Sequence, residues 1–431
     1  MTRAVITGVG AVSAFGVGIA PLFDGLSQGR AAIGPIRSFD ARAFPTTVAG
    51  EVHPGAIEDA WLRSLLGDIG ARAHAVLDRF EHAGAWRDRK VAFGLLAASE
   101  AWRMAACGDA QGDAALVLAL GLEQAFLDDF APMFDAHAID WSASDVADPG
   151  RIRLRSEVDL CARLLGDLLD LRGPVIVNAS ACAAGGLALA HAASLIERGA
   201  ATVVLCGGAD SMVNPFGLGG MSRLGAPSPR NAADACRPFD RRRDGLVIGE
   251  GAAMFVLESE EHAHARGAKV LARVLGFGST QDAYRATAPR PDGLAACRAM
   301  QKAMARAALA PEAIGYVNAH GTGTPLNDVA EARAIVGALG EHGRRVPVSS
   351  IKGAVGHLMA ASGALEAAAC MLPLWRAILP GTAHHHEKDP LCDLNVIGET
   401  PLLASVDAVL SNSFGFGGQN VSLILGRQHE S

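Results

Sequence analysis

Residues 177–199 read VNASACAAGGLALAHAASLIERG. A β-branched stretch ends at Val177. A run of small and aliphatic residues follows, broken only by His191 before Glu197. The first part predicts a strand end and the second a helix over 182–196. A helix without a polar face has to be buried on every side, and its Ala and Gly content lets sheets close on it from both sides. Cys182 stands at the junction, where the free N–H groups of a first helical turn and the helix dipole favour thiolate over thiol.

Farther along, GHLMAASGALEAAACMLPLW (356–375) has the same character, with Glu366 as its only charge. Around both runs, short β-branched segments alternate with longer Ala/Leu-rich ones. Strands are predicted at 4–10, 174–180, 202–208, 252–258 and 422–426. This alternation is the α/β signature. The polar stretch 259–269 reads as a seam between an N-terminal half (1–262) and a C-terminal half (263–431). One buried helix in each half predicts a layered, internally duplicated architecture.

Composition narrows the function classes. The 431 residues carry a net charge of −7 with no long basic tract, so nucleic acid is not an expected partner. No apolar run reaches the ~18 residues of a membrane span, and the start lacks the layout of a signal peptide. The eight cysteines show no CxxC pair, which fits a reducing, cytoplasmic setting rather than a zinc site or disulfide framework. Cys206, inside a strand, reads as an inert core thiol. RPFDRRRDG (237–245) reads as a salt-bridged surface loop and His384–His386 as an exposed loop.

Three further segments hold chemistry. In NAHGTGTPLND (318–328), His320 is predicted on a loop at a strand end, with hydroxyls at Thr322 and Thr324. Asp328 and Glu331 form a D-x-x-E pattern predicted to cap the next helix. In SSIKGAVGHLMAASG (349–363), Lys352 lies five residues before His357, among apolar neighbours where lysine is rare without a partner. A helix start and a nearby ammonium both disfavour imidazolium, so His357 is expected neutral, as a hydrogen-bond donor to a developing oxyanion. LSNSFGFGGQN (410–420) predicts a loop that brings backbone N–H groups close to a ligand, with Phe416 as a lid.

Together, SACAAG, HGTGTP, SIKGAVGHLMAASG and NSFGFGGQN resemble the β-ketoacyl-acyl-carrier-protein synthases of the elongating, Cys-His-His type. GVGAVSAFG, RPFDRRRDGLVIGEGA and DAYRATAPRPDG add to the resemblance, which runs from residue 3 to about 427. It implies the thiolase-like fold, two similar halves in five αβαβα layers. It implies that Cys182 holds an acyl group, with the N–H groups of Cys182 and Phe416 as oxyanion hole and Phe416 as gate. His320 and His357 would bind the malonyl thioester carbonyl during decarboxylative condensation, oriented by Lys352. Thr287, Thr322, Thr324 and Leu122 would contact the substrate and its phosphopantetheine arm. Arg89 and Lys90 would dock the acyl carrier protein, and Asn318, Glu366 and Ser411 match a monovalent-cation site of some relatives. No other cofactor is implied.

Two departures stand out. Residues 121–174 lack the usual Gly-rich and Asn-Met-Ala-Ala-Gly segments before the nucleophile, and Arg285 replaces the usual His after DAY. Both tilt the expectation toward a specialised polyketide or polyene system over bulk fatty-acid synthesis. The resemblance also implies a dimer, with itself or with a chain-length-factor-like paralogue. The leucine stripe 160, 164, 168 and 171 is read either as part of that interface or as packed on the chain's own core. A silent partner subunit would lack the nucleophile, and a thiolase would need a second cysteine in the C-terminal Gly-rich motif. Neither pattern is found here.

Overall fold

The structure is a computed structural model that describes residues 3–53, 55, 71–83, 85–108, 113–121, 134–135, 138–139 and 158–428. Leu122 and most of the segment that departs from the family pattern lie outside the described residues. The principal elements of the N-terminal half are β1 (Ala4–Ser13), α1 (Arg89–Ala105), β2 (Ala115–Leu120), α2 (Leu160–Leu169), β3 (Val175–Asn178), α3 (Ala184–Glu197), β4 (Val203–Asp210) and β5 (Gly251–Ser259). Those of the C-terminal half are β6 (Ala272–Gln281), α4 (Leu294–Ala307), β7 (Tyr316–Asn318), α5 (Pro325–Leu339), β8 (Pro347–Ser349), α6 (Ser362–Ala369), β9 (Asn395–Val396), β10 (Ala408–Phe414) and β11 (Gln419–Gly426).

The strand order is β3-β2-β4-β5-β1 in the first half and β9-β8-β7-β10-β11-β6 in the second. Setting the edge strand β9 aside, each half has its five strands in the order 3-2-4-5-1, counted along its own sequence. Directions repeat as well. In each half the second strand runs parallel to its two neighbours and the fifth runs antiparallel to both of its own. The sheets meet at β1 and β6, through the pairs Val5↔Arg273 and Ile6↔Ala272.

The duplication reaches single residues. β1 carries a register shift between Ile6 and Gly8, and β6 carries one between Val274 and Gly276. After each shift, two glycines let a helix lie directly on the strand. A Cβ on Gly8 or Gly10 would sit 2.0 or 2.1 Å from a carbonyl oxygen of α1 (Ala101, Ala97). A Cβ on Gly276 or Gly278 would sit 2.3 or 2.2 Å from one of α4 (Ala303, Ala299).

α3 and α6 lie between the sheets and share one apolar core with strands of both. They touch through small residues, since a Cβ on Gly185 would meet the amide of Ala364 and one on Gly363 the amide of Gly186. α1 and α2 cover the outer face of the first sheet, and α4 and α5 that of the second. The result is the expected five-layer αβαβα sandwich.

The structure corrects several expectations. The run 356–375 is not one helix: a tight turn over Met359–Ala361 leads into α6, and a separate helix follows over Met371–Arg376. Pro373 accounts for the break, because it has no N–H to continue the ladder. Of the two readings left open for the leucine stripe, the chain itself shows the second: Leu160, Leu164 and Leu168 of α2, and Leu171 just beyond it, are buried in the core shared with α1. The 237–245 tract is salt-bridged but not superficial: Arg237, Asp240 and Arg243 are buried, and Arg243 pairs with Asp389 at 2.6 Å. The histidine run is only partly exposed, with His384 bound to the Cys236 carbonyl.

Candidate active site

β3 ends at Asn178, and a left-handed residue, Ala181 (φ 47°), turns the chain so that Cys182 heads a tight turn leading into α3. Left-handed φ is unfavourable for a residue with a Cβ and persists only where its surroundings enforce it. Here Gly415 lies directly against the Cys182 amide, so no side chain intervenes between this turn and the loop after β10. Cys182 is buried, and the N–H of Phe416 acts on its sulfur in favour of the thiolate. Burial pushes the thiol up to about 12. Lys352 and the Phe416 N–H pull it down, while Asp210 and Glu366 push it up. The expected thiolate is therefore corrected to a resting thiol, because loss of hydration outweighs the favourable helix start.

Behind the cysteine stand two histidines, His320 and His357, with ring centroids 5.3 Å apart and planes nearly perpendicular. Lys352 is buried and reaches three acceptors, namely Nδ1 of His320 (3.3 Å), the His320 carbonyl and the Glu366 carboxylate. An ammonium has three donors and no acceptor, so all three are used, and His320 must receive at Nδ1 and carry its proton at Nε2. His357 reaches the same tautomer by another route. The Met359 N–H donates to its Nδ1 at 3.3 Å, and the Ser362 hydroxyl lies 2.7 Å from the same atom. Burial, then Lys352 and His357, hold His320 well below the ordinary imidazole value; burial, then Lys352, do the same for His357. Two neutral Nε2–H donors result.

The helix start expected at His357 is absent, and the residue is fixed by the other half of the molecule. Its N–H donates to the Val247 carbonyl at 2.7 Å, and its carbonyl accepts from the Gly249 N–H at 2.8 Å.

Glu331 and Asp328 do not cap α5. Thr324 does, accepting from the Asn327 N–H. The two carboxylates lie inside the helix and reach back to the loop before it. Glu331 accepts from the N–H groups of His320 and Gly321, and Asp328 from those of Gly323 and Phe239. Burial pushes Glu331 up to about 7, opposed by the Gly321 and His320 amides. Sequence reading missed the contacts of Glu331 and Ser362, because each acts on backbone or on a ring nitrogen fixed only by the fold. The D-x-x-E spacing was the one available signal.

Cys182, His320, His357, Phe416, Thr287, Thr322 and Thr324 line one pocket of about 410 Å³, with Met221, Leu224, Leu326, Met359 and Phe414 as apolar wall. The Thr322 and Thr324 hydroxyls are bonded at 2.8 Å. Arg89 and Lys90 do not form a docking patch. Lys90 is buried against Asp88 at 2.7 Å, and Arg89 is turned inward onto the buried Glu250 at 2.8 Å and onto the Val52 carbonyl. Internal carboxylates consume both charges. Asn318 donates to the Ser411 hydroxyl at 3.2 Å, while Asn318 Oδ1 and Glu366 Oε2 are buried without a hydrogen-bond partner.

The chain matches the family models "Beta-ketoacyl synthase, N-terminal domain" over residues 1–263 and "Beta-ketoacyl synthase, C-terminal domain" over 271–386. It is 37% identical to 3-oxoacyl-(acyl-carrier-protein) synthase 2 of Synechocystis over 98% of this chain and 97% of the relative. It is 35% identical to the oxytetracycline polyketide putative beta-ketoacyl synthase 1 of Streptomyces rimosus over 99% and 98%. Among solved structures, a beta-ketoacyl synthase from Burkholderia phymatum superposes with a TM-score of 0.82 at 33% identity, covering all of both chains. A type II polyketide ketosynthase, solved in complex with its acyl-carrier protein and bound to a hexaketide, superposes with a TM-score of 0.84 at 27% identity over 99% and 100%. The ishigamide ketosynthase/chain length factor superposes with a TM-score of 0.83 at 31% identity over 99% and 100%.

Proposed function

From the premise that this chain belongs to the β-ketoacyl synthase family, we propose that its pocket performs decarboxylative Claisen condensation on acyl groups delivered by an acyl carrier protein. The chain is a condensing acyltransferase acting in fatty-acid or polyketide/polyene elongation. One observation carries the residue assignment: a buried cysteine under a backbone N–H shares its pocket with two neutral histidine donors.

The Cys182 sulfur attacks the thioester carbonyl of an incoming acyl group. The bond from acyl carbon to arm sulfur breaks, and the thiol proton leaves with the arm. The Cys182 and Phe416 N–H groups hold the oxyanion; removing one such donor typically costs about 10²–10³ in rate. A malonyl thioester then enters, its carbon–carbon bond breaks to release carbon dioxide, and the electron pair remains as an enolate. Nε2–H of His320 and of His357 donate to the enolate oxygen, and their neutrality lets them do so without surrendering a proton. The enolate carbon attacks the acyl carbon and expels the sulfur as a thiolate, which takes a proton from water. Thr287, Thr322 and Thr324 bind the phosphopantetheine arm, and Phe416 gates the acyl pocket. The unpartnered Asn318 Oδ1 and Glu366 Oε2 fit a monovalent cation beside Ser411, which would steady the ion pair behind His320.

The working partner is an acyl carrier protein, and the working setting is the cytoplasm. The described residues include no helix long and apolar enough to cross a membrane. The functional halves are 1–262, with the nucleophile, and 263–431, with the histidines and lysine. A dimer is supported by β3, an edge strand whose Val175 and Val177 are exposed, since apolar edges are otherwise blunted. The test is direct. Incubation with acyl carrier should add one acyl group to Cys182 by mass spectrometry, and malonyl carrier should then discharge it as 3-oxoacyl carrier. Condensation at an unaltered rate by Cys182→Ala would end this reading.

A further inference from the structure

The duplicated topology places a second two-amide cradle opposite the oxyanion hole. In each half a left-handed residue precedes the head of a central helix: Ala181 (φ 47°) before Cys182, and Met359 (φ 44°) before Ala360. Cys182 and Ala360 are thus counterparts. The fourth strands also correspond, β4 ending at Asp210 and β10 at Phe414, so Met212 and Phe416 lie two residues beyond equivalent strand ends. The counterparts of the Cys182 and Phe416 N–H groups are therefore those of Ala360 and Met212. Both are already bound, because Asp210 accepts from Met212 at Oδ1 and from Ala360 at Oδ2, each at 3.0 Å. Asp210 is fully buried.

We propose that Asp210 is a resident anion in this second cradle and a positioning residue for His357. By pinning Ala360 it holds the left-handed Met359, whose N–H keeps Nδ1 of His357 an acceptor and leaves Nε2–H facing the pocket. The link crosses between halves, from the end of β4 to the turn ahead of α6. The charged groups acting on the Cys182 thiol are Lys352, Asp210 and Glu366, and of these Asp210 is the larger upward influence. Burial is the main reason the thiol is held up, and the same carboxylate adds to it.

The inference rests on the ketosynthase reading for its kinetic consequence, but two of its readouts need neither carrier nor acyl substrate. Asp210→Asn removes the charge and sets an NH₂ group against one of the two amides. In that variant, the midpoint of Cys182 alkylation by iodoacetamide is expected to move to lower pH. ¹⁵N spectra of labelled histidine should show a second tautomer at His357, and malonyl-carrier decarboxylation should fall about tenfold to a hundredfold, as for a misplaced catalytic group. Asp210→Glu keeps the charge but overfills the cradle, so it should retain the alkylation profile and still lose decarboxylation. Decarboxylation at the parental rate in either variant, or an unmoved alkylation profile in Asp210→Asn, overturns the proposal. If alkylation and tautomer shift as expected while the parent protein itself fails to decarboxylate malonyl carrier, the positioning role stands and the ketosynthase reading falls.

Discussion

In the proposed mechanism, Cys182 and the two histidines divide the labour between holding an acyl group and making a nucleophilic carbon. Cys182→Ala is expected to abolish condensation, yet carbon dioxide release from malonyl carrier should persist, because His320, His357 and Lys352 are untouched; a coupled carbon dioxide assay reads this. pH dependence follows from the depressed imidazole values. A histidine whose pKa is lowered stays neutral as pH falls through the ordinary ~6.5, so decarboxylation should stay flat across that value. Burial, and after it Lys352, depresses both rings. Lys352→Ala should therefore bring the acid limb up toward pH 6.5, and an unmoved limb would mean burial alone keeps the rings neutral. At this scale the sequence was legible where a side chain stands in a distinctive setting, since Cys182, His320 and His357 do share one pocket and Lys352 does reach His320. It was opaque where a carboxylate binds the backbone of distant residues, as Asp210 binds that of Ala360 and Glu331 those of His320 and Gly321. It misled at Arg89, whose partner Glu250 lies far away in sequence and is brought near only by folding.

Among elements, the two glycine pairs of β1 and β6 make a quantitative test of the duplication. Gly10→Ala and Gly278→Ala each drive a Cβ into a helix carbonyl, at 2.1 and 2.2 Å. Each should destabilise by about 1–3 kcal/mol, as overpacking does. The pairs belong to different helix–strand contacts, so the losses should add in the double variant. Chemical denaturation of the four proteins checks both statements. The strands at 4–10, 202–208 and 252–258 were readable because they are short, mostly apolar runs with few or no charges, set between longer Ala-rich ones. The break after α6 was less so, since an all-apolar run hides its boundaries and the only cue was Pro373. The α2 stripe shows the limit of periodicity: it fixes which residues share a face, and the covering element has to come from the fold.

For the whole molecule, the exposed edge β3 is the proposed meeting place of two chains. Val175→Lys with Val177→Lys should yield a folded monomer by sedimentation, because both side chains are exposed in the single chain and charge on an edge opposes strand pairing. A double variant that sediments like the parent would place the interface elsewhere. Overall architecture was legible from two apolar helices and an alternating pattern, whereas the interlocking of the halves was not. His357 belongs to the C-terminal half by sequence, yet Val247 and Gly249 of the N-terminal half grip its peptide on both sides. A break in the backbone is therefore a different matter from a break in the fold. Cut within the Glu260–Ala265 helix, after residue 262, and produced as two polypeptides, the pieces should be inactive singly and regain decarboxylation on mixing. Such fragment complementation would make the enzyme a conditional catalyst, switched on by whatever brings its two pieces together.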